Sequence, residues 1–237
     1  MEKIEDKPKI KEIPEVEKPV DVTKQNNQIK WALILMVSLI VIIVAVPYIN
    51  KNFLNAFDYH GLEFHKTKLG DLTFYSTRFP VIITGQAIGE YAINLRNDPR
   101  ELDYIPVNVN NDTVTFTVDG RRYGDVFITL DPSMKLCEDT TIALAGLSLF
   151  LGDSGLHVQS AFSDEKFAKL KNHTYRWCDS DNFDTVIYVT DGKETSIKEI
   201  DKGCYQLTFK ECEVLEVSER FELEILKAYA KKFKNTV

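Results

Sequence analysis

Residues 31–49 read WALILMVSLIVIIVAVPYI, an uncharged stretch that separates a polar arm from the rest of the chain. About 19 residues at about 1.5 Å each span roughly 28 Å, close to the hydrocarbon thickness of a bilayer. Lys30 and Lys51 flank the stretch, and Trp31 and Tyr48 lie where interfacial aromatic residues are enriched. The pattern predicts one transmembrane helix over residues 31–49, with the lipid bilayer as its partner.

A buried core helix and a cleaved signal peptide are the competing interpretations of this stretch. A core helix usually keeps a polar face, whereas nearly every position from Ala32 to Val46 is apolar. A signal peptide has a shorter charged region and a shorter apolar region, and Pro47 obstructs the small-residue cleavage site at Ala45. The sequence therefore favours an uncleaved signal-anchor.

The distribution of lysine predicts the orientation of the anchor in the membrane. Lys18, Lys24 and Lys30 precede the stretch, whereas only Lys51 follows it closely. Positive charge favours the cytoplasmic side of a membrane. We therefore expect a single-pass protein of the cell membrane, with a cytoplasmic N-terminus and residues 50–237 outside.

The arm, residues 1–30, contains seven Lys, seven Asp or Glu, three Pro and no aromatic residue. Mixed charge with so few core-forming residues cannot offset chain entropy, so we expect the arm to be disordered. Because the arm is neutral, the formal charge of −7 belongs almost wholly to the remainder of the chain. An acidic domain is a poor partner for nucleic acid, and we expect none.

All four cysteines follow the apolar stretch: Cys137, Cys178, Cys204 and Cys212. An even number on the outer side of a membrane predicts disulfide bonds. A zinc site is the competing interpretation, but neither CxxC nor HxxxH spacing supports it. Four cysteines allow three connectivities. Because Cys204 and Cys212 flank a short strand-like segment, we predict that they pair with each other and leave Cys137 with Cys178.

Strand-like and helix-like patterns alternate through residues 50–237. Hairpin turns are predicted at Leu69-Gly70-Asp71, Asp119-Gly120 and Thr190-Asp191-Gly192-Lys193. The strand–helix–strand pattern over residues 126–162 predicts a βαβ crossover. Ser218 is predicted to cap a final helix.

These patterns together predict the α+β class, in which a transmembrane helix precedes a mixed extracytoplasmic domain with hairpins and a C-terminal helix. The polar segment 163–182 either divides this domain into two lobes or forms a long surface loop.

The densest polar cluster reads RNDPR and begins at Arg96. Arg96, Asp98 and Arg100 together suit contact with an anionic ligand or with a carboxylate of a partner. A structural role competes with this, because Asp98 before Pro99 is a good N-cap for a short helix over residues 99–103. The structural role is favoured, and the two arginines remain the candidate contacts.

The sequence contains no GxSxG, HExxH or P-loop motif, and its four histidines are scattered. We therefore assign no catalytic residue, no cofactor and no metal ligand. Asn111 and Asn172 begin Asn-x-Thr triplets and are candidate glycosylation sites.

Several segments resemble a known family. These are Phe57-x-Tyr59-x-Gly61-Leu62-x-Phe64, Phe74-Tyr75, Leu95 to Arg100, Leu130-Asp131-Pro132 to Cys137-Glu138-Asp139, and Cys204-Tyr205 to Val217-Ser218-Glu219-Arg220-Phe221. In them the chain is similar to a family of small archaeal single-pass membrane proteins without assigned function. The resemblance covers the anchor and most of the outer domain. It implies an archaeal cell-surface location and carries over no catalytic residues, because the family has none assigned.

Two classes of function are compatible with these features. The first is a membrane-anchored, non-catalytic module of the cell envelope that binds another envelope protein or a second copy of itself. The alternative is a membrane-tethered envelope hydrolase that uses Asp or Glu residues, since paired carboxylates leave no reliable sequence motif. A deep pocket that contains two carboxylates or a triad with shifted pKa values would favour the enzyme. An exposed apolar patch or an unpaired edge strand would favour the binding module.

Overall fold

A computed structural model of the chain describes residues 22–49, 55–83, 86–114, 116–118, 121–122, 124–178 and 184–234. The chain divides into two compact units, Met1–Lys51 and Asn52–Val237.

The described part of the first unit is the helix α1 (Val22–Ile49). Its segment Ile29–Ile49 has a mean hydropathy of 2.9 and is long and apolar enough to cross a membrane, and none of it is buried. The predicted apolar helix is therefore confirmed, and its apolar segment is exposed rather than buried. The helix starts earlier than expected, because residues 22–30 of the arm are helical. Residues 1–21 of the arm lie outside the described residues.

The second unit is a mixed α+β domain, as the sequence predicts. Its elements are, in chain order, β1 (Ala56–Tyr59), β2 (Leu62–Leu69), β3 (Leu72–Ile83), β4 (Gln86–Leu95), a 3-10 turn (Glu101–Tyr104), β5 (Val107–Asn108), β6 (Thr117–Val118), β7 (Arg121–Arg122), β8 (Val126–Leu130), α2 (Thr140–Asp153), β9 (Val158–Phe162), α3 (Glu165–Lys171), β10 (Thr185–Asp191), β11 (Ser196–Asp201), β12 (Cys204–Phe209) and α4 (Val214–Lys234). The described part of segment 163–182 contains the helix α3 (Glu165–Lys171), and residues 179–182 lie outside the described residues.

Strands β1 to β4 form an antiparallel meander in which each strand pairs with the next along the chain. The turn between β2 and β3 pairs Leu69 with Leu72 and places Gly70 at φ +63°, a conformation that glycine adopts without steric cost. The predicted hairpin at Gly70 is confirmed. Alternate residues of the meander, Phe64, Ile93 and Leu95 among them, are buried in the domain core.

The second sheet has six strands in the order β5-β11-β12-β10-β8-β9. Strands β8, β9, β10 and β12 are parallel, whereas β11 is antiparallel to β12. Strand β8 continues through α2 into its parallel neighbour β9, so the predicted βαβ crossover is confirmed. β6 and β7 form a separate two-stranded ribbon.

The hydrophobic core joins both sheets to α2 and α4. The alternating residues Ile128, Ile187 and Leu207 of the six-stranded sheet are buried in one cluster with Phe221 of α4 and Leu147 of α2. Residues on the opposite face of the same strands are also buried, Phe127 and Val186 for example. A sheet that contains parallel strands is usually covered on both faces in this way.

The predicted hairpin at Thr190-Asp191-Gly192-Lys193 is wrong. Strand β12 lies between β10 and β11, parallel to the first and antiparallel to the second. The N–H of Gly192 donates to the carbonyl of Phe209 at 2.8 Å, and a Cβ at Gly192 would overlap the Thr208 methyl group. The glycine therefore permits the close approach of a later strand, which local turn chemistry cannot reveal.

Two other local predictions also change. The sequence predicts that the turn at Asp119-Gly120 joins a strand over residues 114–118 to β8, but Thr117–Val118 pairs with Arg121–Arg122 instead. The turn at 119–120 lies outside the described residues. Ser218 does not cap the last helix, which begins at Val214, and its hydroxyl donates to the Val214 carbonyl at 2.8 Å.

All four cysteines are in disulfide bonds, but the predicted pairing is wrong. Cys137 pairs with Cys212, and Cys178 pairs with Cys204, with Cα atoms 5.6 Å apart in both. Cys204 opens β12 and Cys212 follows its end. An extended strand of six residues separates such positions by roughly 20 Å. The two cysteines that flank the strand are therefore too far apart to meet.

Candidate functional site

The carboxyl ends of the parallel strands border a crevice. After β8 the chain moves to β9 on one side, and after β10 it moves to β11 and β12 on the other. Strands β8 and β10 are neighbours. Open α/β sheets bind ligands where two adjacent strands send their connections in opposite directions. The topology alone therefore points to the space beyond the ends of β8 and β10.

A cleft of about 730 Å³ opens there, and we call it the strand-end cleft. Its volume lies within the range of about 300–1,000 Å³ that is typical of small-molecule sites. Its lining residues come from the ends of β8, β9 and β10, from α3 and from the segment after α3: Asp131, Pro132, Ser133, Ser163, Asp164, Lys166, Phe167, Leu170, Tyr175, Trp177 and Tyr188.

Asp131 forms the polar centre of the strand-end cleft. One carboxylate oxygen accepts from the Ser133 N–H at 2.8 Å and from its hydroxyl at 2.6 Å. The other accepts from Tyr188 Oη at 2.9 Å and Thr190 Oγ1 at 3.0 Å. Partial burial by itself raises the pKa of Asp131, but these hydrogen bonds outweigh it and hold the pKa below its usual value. Asp131 is therefore an ionised carboxylate that fixes the ends of β8 and β10.

One wall of the cleft is aromatic and partly exposed. Trp177 is 38 % exposed and Tyr175 is 41 % exposed. The Trp177 ring packs edge-on against Tyr188, with ring centroids 4.6 Å apart. Phe167 of α3 packs against Phe162 at 5.0 Å and continues the wall. We refer to the rings of Trp177, Tyr175 and Phe167 as the aromatic wall.

The segment that carries the aromatic wall is fastened to the sheet at three points. The backbone N–H of Arg176 donates to the carbonyl of Phe162 at 3.1 Å, and this bond holds the Arg176 backbone beside β9. The Arg176 guanidinium lies over the Phe127 ring at 4.6 Å. The disulfide to Cys204 follows at Cys178. The exposed rings are therefore held in place rather than free to collapse onto the sheet.

No family model, no curated protein and no solved structure matches this chain. The resemblance to archaeal membrane proteins stays a prediction.

The RNDPR cluster is arranged locally rather than around a common site. The buried carboxylate of Asp98 accepts from Arg100 Nε at 2.9 Å, Nη2 at 2.6 Å and the backbone N–H at 3.0 Å. The Arg100 guanidinium also lies 4.0 Å from the centre of the Phe57 ring. The 3-10 turn begins at Glu101 rather than at residue 99, and the Glu101 N–H donates to the Asp98 carbonyl. Arg96 lines a different groove, formed with α2 and α4.

Replacing Asp98 with Ala is expected to lower the free energy of unfolding by about 0.5–2 kcal/mol, because the turn loses its acceptor. Changing both Arg96 and Arg100 to Gln should cost less, since the residue-100 N–H still reaches Asp98. Hydrogen bonds from Arg100 lower the pKa of Asp98, so its contribution is present above pH 3.8 and is lost as the pH falls further. Urea unfolding of the variants tests this, and an unchanged midpoint for Asp98→Ala would contradict it.

Two glutamates that the sequence analysis did not select line the groove beside Arg96. Glu219 accepts from the backbone N–H groups of Arg96 at 2.6 Å and Asn97 at 2.9 Å. Burial raises the pKa of Glu219 to about 7, although these hydrogen bonds oppose the shift. Burial, reinforced by the charge of Glu219, raises the pKa of Glu222 well above its usual value. Both carboxyls lie on α4, three residues apart.

These raised pKa values predict a pH-dependent stability. The stabilisation linked to each glutamate is fully present below pH 4.5 and is lost as the pH rises through the folded-state pKa, about 7 for Glu219. The free energy of unfolding should therefore fall between about pH 5 and pH 8. Glu222→Leu should flatten this profile and stabilise the domain at pH 8 by about 2 kcal/mol. Identical profiles for the two proteins, measured by denaturant unfolding, would refute this.

Sequence patterns indicated the residues of the strand-end cleft only weakly. Asp131 directly follows the first strand of the predicted βαβ unit, which is the position from which such sheets usually contact ligands. Trp177 has no comparable signal, because its place depends on the distant Cys204. The candidate glycosylation sites Asn111 and Asn172 are both exposed, and neither lines the cleft, although Asn172 caps the end of α3 two residues after the lining residue Leu170.

Proposed function

We propose that this protein is a membrane-anchored, extracytoplasmic binding module of the cell envelope. The unburied apolar segment Ile29–Ile49 suits a membrane anchor. Two disulfides suit an oxidising compartment outside the cytoplasm. The excess of lysine before the anchor suits a cytoplasmic N-terminus and an external domain.

The observation that carries a binding role is the aromatic wall of the strand-end cleft. Trp177 and Tyr175 present fixed, partly exposed rings beside hydroxyl and carboxylate groups of Ser163 and Asp164. Rings of this kind supply large contact area at a small entropy cost, and their neighbours supply hydrogen bonds. A sugar ring offers the matching surface, since one of its faces carries C–H groups and its edge carries hydroxyls. The ligand class we propose is an envelope saccharide.

The carboxyls of the cleft suit binding better than hydrolysis. A glycosidase needs one carboxylic acid of raised pKa as its general acid. Asp131 has a lowered pKa and accepts two hydrogen bonds on each oxygen. Asp164 accepts the Phe167 N–H at 2.7 Å as the N-cap of α3. Asp131 is therefore poorly suited to act as a general acid, whereas the two carboxyls of raised pKa, Glu219 and Glu222, line the groove beside Arg96 and are the feature that favours the alternative, an envelope hydrolase.

Tryptophan fluorescence tests the proposal directly, because the chain contains two tryptophans, Trp31 and Trp177. In a full-length Trp31→Phe protein, reconstituted in lipid nanodiscs, all tryptophan emission comes from the cleft. Titration with solubilised envelope polysaccharides should shift this emission. Calorimetry with Trp177→Ala should show at least a tenfold loss of affinity. Leu69→Ala, an exposed apolar change on the other sheet, is the matched control.

Three results would contradict the proposal. The emission of Trp177 could stay constant with every polysaccharide fraction, or Trp177→Ala could bind as tightly as the parent protein. Release of new reducing ends from a bound polysaccharide would favour the envelope hydrolase instead.

A further inference from the structure

A second concave surface of about 500 Å³ lies between α2, α4 and β4, and we call it the helix groove. One side is formed by α2 residues at helical spacing: Ile142, Ala145, Gly146 and Leu149. Ile142 is 42 % exposed and Leu149 is 61 % exposed. Ala92 and Asn94 of β4 form the other side. The groove therefore presents an apolar stripe that spans two turns of α2. The small residues Ala145 and Gly146 form the centre of this stripe.

The floor of the helix groove contains a buried carboxyl without a partner. Glu222 is 4 % exposed, and among the described residues no hydrogen-bond donor or cation contacts its side chain. Its neighbour Glu219 differs, since two backbone N–H groups donate to it. Buried carboxyls in folded proteins are normally paired. Glu222 is thus a buried carboxyl that lines the groove and has no hydrogen-bond or ionic partner among the described residues.

The other ionisable groups around the helix groove are mostly acidic. Glu219 lies beside Glu222 on α4, and Asp153 ends α2. The hydroxyl of Tyr91 on β4 is turned towards Asp153. Arg96 is the one cationic residue among those that line the groove, and no ion pair joins it to Glu222 in the described part of the chain. The acidic side chains around the groove would therefore attract a cationic group of a ligand.

Gly146 is the second, independent feature of the helix groove. A Cβ at this position would contact no atom within 4 Å, so packing inside the domain does not require glycine here. Glycine inside a helix costs about 1 kcal/mol relative to alanine. Because Gly146 and Ala145 carry no large side chain, another polypeptide can approach the surface of α2 closely here.

We propose that the helix groove docks a segment of a partner polypeptide whose lysine side chain enters between α2 and β4 and pairs its ammonium group with Glu222. The lysine stem would lie along the floor, and apolar residues beside it would cover Ile142 and Leu149. The stripe spans two turns of α2 and is largely exposed, which fits a polypeptide better than a free amine. The proposal stands apart from the strand-end cleft, since the two surfaces share no lining residue.

Binding by this route is coupled to the release of a proton. Glu222 must ionise to pair with an ammonium group, and the groups that face it are Glu219, Asp153, Tyr91 and Arg96. Affinity should therefore increase as the pH rises, in the range over which lysine keeps its charge.

The probes are two blocked peptides, Ac-Leu-Ala-Lys-Ala-Leu-NH₂ and its counterpart with norleucine in place of lysine. Binding to the ¹⁵N-labelled full chain in nanodiscs is followed by NMR at several pH values. We expect the lysine peptide to bind at least tenfold more tightly than the norleucine peptide, and more tightly at higher pH. Glu222→Gln should remove this preference, and Gly146→Leu should abolish binding by filling the groove.

Gly152→Leu is the matched control, because Gly152 is also on α2 in open space but does not line the groove. It should bind like the parent protein, and all three variants should give the spectrum of a folded domain. Equal binding of the two peptides, or full binding by Gly146→Leu, would overturn the proposal. Hexylamine that binds as tightly as the lysine peptide would overturn the polypeptide as occupant and point to a free amine.

Discussion

Opening the Cys137–Cys212 disulfide by changing both cysteines to serine is expected to lower the free energy of unfolding by about 4.5 kcal/mol. The bond closes a loop with a sequence separation of 75 residues, and the chain-entropy estimate for such a loop gives this value. The Cys178–Cys204 bond has a separation of 26, for which the same estimate gives about 3.5 kcal/mol. Both effects are large beside the total stability of a typical domain.

Urea unfolding of the two double-serine variants measures these costs, and reduction of the parent protein supplies a control without substitution. The two bonds should also differ in their effect on the strand-end cleft. Opening Cys178–Cys204 removes one fastening of the aromatic wall and should weaken saccharide binding, whereas opening Cys137–Cys212 should not. Costs below about 1 kcal/mol, or a different pairing in non-reduced peptide maps, would contradict the account.

Truncating Arg220 to Ala is expected to lower the free energy of unfolding by about 3–5 kcal/mol. Its guanidinium is buried and lies 2.9 Å from the carboxylate of Glu224, which is also buried. The Arg220 guanidinium also donates to Tyr59 Oη at 3.2 Å, and the Tyr59 hydroxyl donates to the Asp103 carboxylate at 2.6 Å. These contacts join α4 to β1 and to the 3-10 turn. Without Arg220, the cation that the described residues leave beside the Glu224 carboxylate is Lys227, at 3.0 Å.

The double variant Arg220→Met with Glu224→Leu separates the cost of an unpaired charge from the value of the pair. Replacing a buried ion pair with apolar residues of similar volume is often neutral or stabilising. We therefore expect the double variant to recover most of the stability that Arg220→Ala loses. If the double variant is as unstable as the single one, the stability depends on the packing of these side chains and not on their charge.

The parts of the fold that sequence predicted correctly depend on signals that are close together in the chain. Gly70 and its flanking strands specify their own hairpin, and residues 126–162 contain all of the βαβ unit. The errors arise where a distant segment decides the outcome. Strand β12 enters between β10 and β11, so a strong turn signal at Gly192 becomes a site of close approach instead.

The last helix shows how tertiary packing overrides local preference. Val214 and Val217 are β-branched, which favours strands, and they precede the predicted cap at Ser218, yet both are fully buried on the core face of α4. Burial of that face outweighs the small helix penalty of valine. The helix therefore begins four residues before Ser218, the residue that the sequence favoured as its cap.

The candidate site was only partly predictable for the same reason. Asp131 lies at a position that the strand–helix–strand pattern marks, but its partners Tyr188 and Thr190 are 57 and 59 residues further along the chain. The RNDPR cluster was conspicuous because its charges are adjacent in sequence, and Arg100 and Asp98 mainly bind each other. Proximity in sequence identified a local ion pair, whereas the cleft required the whole sheet.

Proteolysis of intact cells that express the full chain tests most directly the central claim that an anchored binding domain lies outside the membrane. With an epitope tag at each end, external protease should remove the C-terminal tag and degrade residues 52–237. The N-terminal tag should survive on a short fragment that stays in the membrane after carbonate extraction. Protection of the C-terminal tag would reverse the topology, and release of the whole chain into the soluble fraction would remove the anchor.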